Sequence, residues 1–414
     1  MDDTKLIPHL FRTEYRKIVS VLCKYFGLGG IENAEDIASE TFLTAAQSWG
    51  LDGIPANPTA WLYSVAKNKA KNHLQRHHLF QEKITPALDT DASVSHPGEV
   101  DLSPSNIIDS QLQMMFTICH PSISGEAQIG LALRILCGFG IEEIADAFLT
   151  NKETINKRLF RAKQQLREGK IKIGLPAPSE IESRLSSVLT TIYLLFNEGY
   201  YSISRDKPLH KELCLEAMRL CAMLIENKET DQPQVNALLS LMCFHASRFD
   251  ARLDGSGQII LYEDQDTSRW NTDFISKGGY FLKCAAAGDT LSRYHLEAGI
   301  AYWSTQRTDT KEKWKNILQF YNLLLQMEYS PIAALNRTYA LSKVYGKPAA
   351  ILEAEKLDLT DNHFYFALLG ELYTSIDDDT AGINFQKAYS LAKTQADKQA
   401  VQKKIDRLAG KQVQ

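Results

Sequence analysis

Apolar residues recur at three- and four-residue steps along most of this 414-residue chain, and strand signals are scarce. That period leaves few options. An amphipathic helix buries one stripe and must find a partner for it, so the chain is expected to be all-α. Residues 5–26 show the pattern first, with Leu6, Leu10, Ile18, Leu22 and Phe26 on one stripe and Gly27, Gly29 and Gly30 as the stop. A second helix is expected over about 33–49, with Asn33 as its cap and Glu35 and Asp36 at its positive N-terminal end. After Pro55 and Pro58, a third helix carries Trp61, Leu62, Val65 and Ala66 into a basic tail near Arg76.

Residues 84–112 break the pattern. They hold Pro86, Pro97 and Pro104, five acids (Asp89, Asp91, Glu99, Asp101 and Asp109) and no Lys or Arg, which reads as a linker. A helical block follows over about 107–170, and Gly174 to Pro178 mark a domain boundary. From 180 to 410 the helical period returns. Phe366, Leu369, Gly370 and Tyr373, then Ala381, Phe385 and Ala388, resemble the tetratricopeptide template, with a connecting turn one residue short. Pro331, Ile332, Leu335 and Tyr339 make a weaker match, and Tyr339 and Tyr373 stand 34 residues apart, the period of that repeat. One stretch is not helical: Asp254 to Gly257 reads as a turn and Gln258–Tyr262 as β-prone, so a short hairpin or irregular loop is expected there.

Composition excludes several classes. There are 46 Lys and Arg against 50 Asp and Glu, a net charge of −4, without the surplus of a simple DNA-binding protein. The longest nearly apolar run, around Val188–Phe196, is too short to span a bilayer, and the acidic start has no signal-peptide core, so the expectation is a cytoplasmic protein without a membrane partner. Seven widely spaced cysteines with no CxxC fit reduced thiols; Cys214 and Cys221, seven apart, belong to a core face, and His120 beside Cys119 to a helix end. Asp250–Glu263 fails the calcium-loop template because its twelfth position is Leu261. No nucleophile triad, phosphate loop or metal-spaced His/Cys set is found, so neither enzyme activity, cofactor nor metal is expected.

Function concentrates in two segments. In 141–167, Ile141, Ile144, Ala145 and Phe148 make a short helix, Leu149–Lys152 a turn, and Ile155, Leu159 and Ala162 the buried stripe of a second helix. That is the layout of a helix-turn-helix. Its opposite face carries Lys152, Thr154, Asn156, Lys157, Arg158, Arg161 and Lys163, types that reach base edges near the helix start and phosphates later. In 61–76, Lys67, Asn68, Lys71, Asn72 and Arg76 give a basic, amide-rich face. Beside it, Asp36, Ser39 and Glu40 share an acidic face suited to a basic protein partner. In the C-terminal half, Asp264, Asp266, Arg269 and Trp270 are expected to form a buried structural network; a site joining Asp264, Asp266, His245, Arg248 and Arg269 is the enzyme or metal alternative.

Taken in order, these pieces resemble the sigma-70 family of bacterial RNA polymerase initiation factors, most closely the extracytoplasmic-function type that keeps only regions 2 and 4. The resemblance implies region 2 at 1–83, an acidic linker at 84–106, region 4 at 107–175 and a helical extension at 180–414. Asp36, Ser39 and Glu40 match positions that grip the polymerase clamp helices, with Ser39 in place of the usual Gln. Lys67, Asn68, Lys71, Asn72 and Arg76 match the −10-reading segment, and the helix at 153–168 the −35 reader. Met115 to Pro121, Phe196 to Gly199, Glu263 to Asn271 and Ser330 to Arg337 resemble the subgroup with a C-terminal tetratricopeptide-like extension. The implied partners are core RNA polymerase, promoter DNA, and a regulatory protein or ligand on the repeat domain. The acidic linker then suits a basic polymerase channel as a nucleic-acid mimic. Two other readings stay open: a stand-alone helix-turn-helix regulator with a sensing repeat domain, and an enzyme or scaffold centred on 180–410.

Overall fold

A computed structural model describes residues 3–84, 100–148, 150–201, 210–255 and 260–412. Most of the expected acidic linker (85–99), part of the expected hairpin loop (256–259) and Leu149 of the expected helix-turn-helix turn lie outside the described residues. Those described form eighteen α-helices and no β-strand, so the chain is all-α. It divides into two units, Met1–Leu194 and Leu195–Gln414.

The first unit opens with α1 (Asp3–Phe26), whose Tyr15, Ile18, Val19 and Leu22 are fully buried. The helix stops at Gly27, which takes φ of 68° and donates its N–H to Cys23 O at 2.8 Å. That left-handed step suits a residue without a side chain. A tight turn, Leu28–Gly30, then leads straight into α2 (Ile31–Asp52), with Gly30 as N-cap. Asn33 therefore lies inside the first turn and is not the cap. Along α2, Ala34, Ile37, Ala38, Phe42, Ala45 and Trp49 form the buried stripe. Next comes α3 (Pro58–Ile84), which packs on both, Trp61 meeting Trp49 edge-on at 5.4 Å.

The chain resumes in α4 (Pro104–Ile118), whose start is tied down by Asp101: its Oδ1 accepts from Ser103 N at 2.8 Å and its carbonyl from Asn106 Nδ2 at 2.6 Å. His120 follows the end of that helix, as expected. Then α5 (Gly125–Leu131) runs into a π-helical turn, Ala132–Leu136, before α6 (Ile141–Ala147) and α7 (Lys152–Glu168). The division between the units falls inside α8 (Pro178–Tyr201).

The second unit holds α9 (Lys211–Glu226), α10 (Pro233–Ala246), α11 (Thr272–Ala285) and α12 (Arg293–Thr305), followed by α13 (Lys311–Met327), α14 (Pro331–Tyr345), α15 (Lys347–Glu355), α16 (His363–Tyr373), α17 (Asp378–Leu391) and α18 (Gln395–Gln412). Buried almost all round, α10 has α9, α11 and α12 as neighbours. From α12 onward each helix packs on the next, and α14 also touches α16. Small residues set these approaches: a Cβ on Gly370 would meet the Phe385 ring at 2.6 Å, and one on Gly278 would meet Phe244 at 2.7 Å. Between α10 and α11 the expected non-helical stretch is present. Ile260 N bonds to Arg252 O at 2.8 Å, and two short turns, Tyr262–Asp264 and Thr267–Arg269, lead into α11.

All seven cysteines are free thiols, and six, Cys214 and Cys221 among them, are buried. Burial pushes Cys119, Cys214 and Cys243 up to about 12. At neutral pH a thiol reagent should therefore modify one group per folded chain quickly, the half-buried Cys284, and the other six only after unfolding. The packing of α16 on α17 makes a second expectation: Phe385→Ala should cost about 3–5 kcal/mol, read as a lower urea midpoint.

Candidate nucleic-acid interface

The α6–α7 pair is built from small residues and a cap. Ile144 and Ala145 of α6 are buried, as are Ile155, Leu159, Ala162 and Leu166 of α7, at three- and four-residue steps. Asn151 accepts from Thr154 N at 2.8 Å and caps α7. Gly130 of α5 lets α7 pass close: a Cβ there would stand 3.0 Å from Leu159. The sequence reading missed that glycine, although a glycine inside a helical pattern often has a packing reason.

The outward face of α7 holds Lys152, Thr154, Asn156, Lys157 and Arg161, all exposed. Two predicted cations are already engaged. Lys152 pairs with Glu142, and their hydrogen bond and mutual attraction lower the carboxyl and raise the ammonium. Arg158 binds Glu126 at 2.8 Å and lies over the Phe148 ring at 5.4 Å. Lys163 corrects the sequence reading. It does not join the outward face but is buried, with Nζ 2.7 Å from Glu35 Oε2. One step past Ala162, it falls on the inward stripe of the helix, and only a carboxylate partner makes that burial tolerable.

In α3, Leu62, Ala66 and Ala70 are fully buried, which turns Asn68, Lys71, Asn72 and Arg76 outward at three- and four-residue spacing. Lys67 is half-buried at the margin of that face. Tyr63 anchors the helix by donating to Glu14 Oε2 at 2.5 Å, and burial with that carboxylate raises its hydroxyl. Asp36, Ser39 and Glu40 are exposed together on α2, with Leu43, 58% exposed, one turn on. Ser39 Oγ donates to Glu35 O at 2.8 Å. Glu40 meets Lys69 of α3 at 3.2 Å, a surface pair worth well under ~1 kcal/mol.

In the sequence Glu35 reads as a charge at the helix start. It is instead buried, and Arg134 Nε donates to its Oε1 at 2.6 Å. The signal lay in its position, one step past Ala34 on the inward stripe of α2.

In the second unit the predicted residues do not form one buried network. Asp264 pairs with Arg407 of α18 at 2.9 Å. Asp266 caps its own turn by accepting from Ser268 N at 2.9 Å. Arg269 is exposed, and of the four only Trp270 is buried, beside the Tyr262 ring at 6.2 Å. A short polar side chain in a tight turn satisfies nearby backbone first, which is why Asp266 serves locally, while Asp264 is drawn to a distant helix. Besides the Asp264–Arg407 pair, the loop is held by two tyrosines: Tyr262 donates to Ser304 O at 2.6 Å, and Tyr339 to Glu263 Oε1 at 2.6 Å. His245 and Arg248 pair with each other at 3.1 Å, with the imidazole near the Phe196 and Tyr200 rings. Loss of water and the guanidiniums of Arg248 and Arg252 hold the imidazole well below its ordinary range. Among the described residues, no three His, Cys, Asp or Glu are gathered for a metal, and no helix is long and apolar enough to cross a membrane.

Comparison with known proteins fits this geometry. Residues 10–79, within α1 to α3, match sigma-70 region 2. Residues 184–286 match a family of unknown function, DUF6596. The chain is 29% identical to an uncharacterized protein of Rhizobium meliloti, over 99% of this chain and 97% of the relative. It is 26% identical to the ECF RNA polymerase sigma-E factors of Salmonella typhimurium and Escherichia coli, over 40% of this chain and 86% of theirs. No solved structure matches. The likeness to sigma-70 family factors thus covers part of the chain.

The cap of α7 can be tested by itself. Asn151→Ala should cost about 1 kcal/mol, seen as a lower urea midpoint, whereas Asn151→Asp should hold stability near its starting value.

Proposed function

We propose that the chain is an extracytoplasmic-function type sigma factor that directs core RNA polymerase to promoters, with 1–83 as region 2, 84–106 as linker, 107–175 as region 4 and 180–414 as a regulatory tetratricopeptide-like extension. The observation that carries this reading is the outward Asn68, Lys71, Asn72 and Arg76 row within the segment that matches region 2. Amides and cations on one helix face suit unstacked bases and their phosphates. Asp36, Ser39 and Glu40 offer the neighbouring acidic face to the polymerase. Thr154, Asn156, Lys157 and Arg161 enter the −35 major groove from the N-terminal half of α7, while Lys152 and Arg158 stay close to their carboxylate partners. Opening of the −10 region follows from trapping bases once they leave the stack, which offsets the pairing lost; base-flipping enzymes use the same exchange. The chain carries no catalysis of its own. In the extension, Asp264 through Arg407, with the Tyr262 and Glu263 bonds, keeps the loop before α11 in place.

Run-off transcription with core polymerase tests the proposal. The full chain should start transcripts from a defined promoter and bind the same duplex weakly when core is left out. Replacing Asn68 and Asn72 together with Ala should reduce open complexes by about ten-fold or more, the scale of one or two lost base contacts. Lys157→Ala or Arg161→Ala should weaken binding across sequences and lower the salt dependence by roughly one ion each. Tight duplex binding without core, and no transcripts with it, would instead mark a stand-alone regulator.

A further inference from the structure

Where α14 and α16 meet, the second unit has a cavity of about 280 Å³, walled by Ile332, Leu335, Asn336 and Tyr339 of α14 and by Phe364 and Leu368 of α16. Ile332 and Phe364 are 47% and 43% exposed, so its apolar rim faces water. An apolar hollow with a few polar groups at its edge is the usual form of a binding site.

One edge of this hollow is already engaged by an acidic turn of the same unit. Tyr339 donates to Glu263 Oε1 at 2.6 Å, and Asp264 beside it pairs with Arg407 of α18 at 2.9 Å. Burial and the bond to Glu263 raise the Tyr339 hydroxyl, so it stays a donor. The surroundings are basic. Lys313 Nζ donates to Tyr262 OH at 3.3 Å, Lys404 holds Glu371 at 2.7 Å, and Lys343 Nζ lies over the Tyr339 ring at 5.2 Å and the Trp314 ring at 5.6 Å. Burial opposes the charge of Glu371, yet the surrounding lysines, Lys404 first, outweigh it and hold that carboxyl below its ordinary range. The turn therefore brings two carboxylates to a basic, aromatic seat. Its hold there is shallow. Asp264 and Arg407 keep 38% and 56% of their side-chain surface in water, and Glu263 is exposed, so these contacts exchange readily for others of the same charge. The turn fills the polar half of the site and leaves the apolar half open.

We propose that the α14–α16 face binds an acidic peptide segment of a partner protein, whose apolar side chain fills the cavity while its carboxylates replace Glu263 and Asp264 on Tyr339 and Arg407. The chain's own turn is a built-in competitor, and a partner that fills both halves displaces it. The inference gives the extension a binding surface and a class of partner; it rests on the geometry of the second unit and not on the sigma-factor reading.

Fluorescence anisotropy tests it, with the full chain and a labelled peptide copying Ile260 to Asp266. The parent should bind the peptide weakly. Glu263→Gln with Asp264→Asn in the chain should tighten binding by about ten-fold, because the site is no longer shared with the turn. If that pair of changes lowers helicity by circular dichroism, Asp264→Asn alone should tighten binding by a smaller factor. In the weakened-turn background Ile332→Asp should loosen binding by about ten-fold or more, by placing a charge at the mouth of the apolar hollow. Lys343→Gln, which leaves the bonds of the turn to Tyr339 and Arg407 in place, should loosen it by about three-fold. A peptide with its Glu and both Asp changed to amides should not bind. No binding by the weakened-turn chain, equal affinity in parent and weakened-turn chains, binding that survives Ile332→Asp, or equal binding of the amide peptide would each overturn the proposal. If the peptide responds as stated while run-off transcription gives no transcripts, the sigma-factor reading falls and the binding surface remains.

Discussion

A carboxylate leaves water only when cations and hydrogen-bond donors replace its hydration, and Glu35 shows what that requires. Two cations from distant parts of the chain must arrive together: Arg134, 99 residues on, and Lys163, 128 residues on. Meeting that condition fixes the rotation of α2. With Glu35, Ala34 and Ala38 inward, Asp36, Ser39 and Glu40 must point outward, since a helix cannot turn one without the other. The same holds for α7. Once Lys163 and Leu166 face in, Thr154, Asn156, Lys157 and Arg161 face out. The two candidate binding faces are thus consequences of one buried charge cluster.

The second unit reaches order by another route. Its joints are glycines under aromatic rings: Gly278 under Phe244, Gly299 under Phe320 and Gly370 under Phe385. Close approach of this kind needs no ionic partner, because dispersion and loss of apolar surface suffice. Polar groups appear where the helices give way to loop, and there they reach across elements: Tyr262 to α12, Glu263 to α14 and Asp264 to α18. One irregular segment is thereby held to three helices.

Periodicity made the fold class legible, because a stripe at three- and four-residue steps has one economical solution. It also placed outward Asp36, Ser39 and Glu40 of α2, Asn68, Lys71, Asn72 and Arg76 of α3, and Lys152, Thr154, Asn156, Lys157 and Arg161 of α7, since a side chain opposite a buried stripe has nowhere else to go. What sequence did not show were choices made by tertiary partners. Lys163 reads as one more cation in a basic helix until Glu35 is beside it. Glu35 reads as a helix-start charge until Arg134 is beside it. Asn33 is a good capping residue, yet the turn at Leu28–Gly30 starts the helix before it. The acids of the 263–269 loop look like a cluster in sequence, but each is satisfied by a different neighbour, so no common centre forms.

The charge balance can then be weighed in space instead of along the chain. Residues 152–172 hold eight basic and two acidic side chains. Four of the eight are committed within the first unit: Lys152 to Glu142, Arg158 to Glu126, Lys163 to Glu35 and Arg167 to Glu32. Lys157 and Arg161 stay on the exposed face. Binding to DNA gains mainly from counterions released by phosphate contacts, so a segment with half its cations engaged has a weak hold by itself. The exposed pairs, Lys152–Glu142 and Arg158–Glu126, yield readily to a phosphate because they are well solvated. Lys163 and Arg167 yield only if α7 leaves α2. A net charge of −4 is therefore no argument against the proposed promoter reader, because carboxylates of the same unit already pair four of these cations.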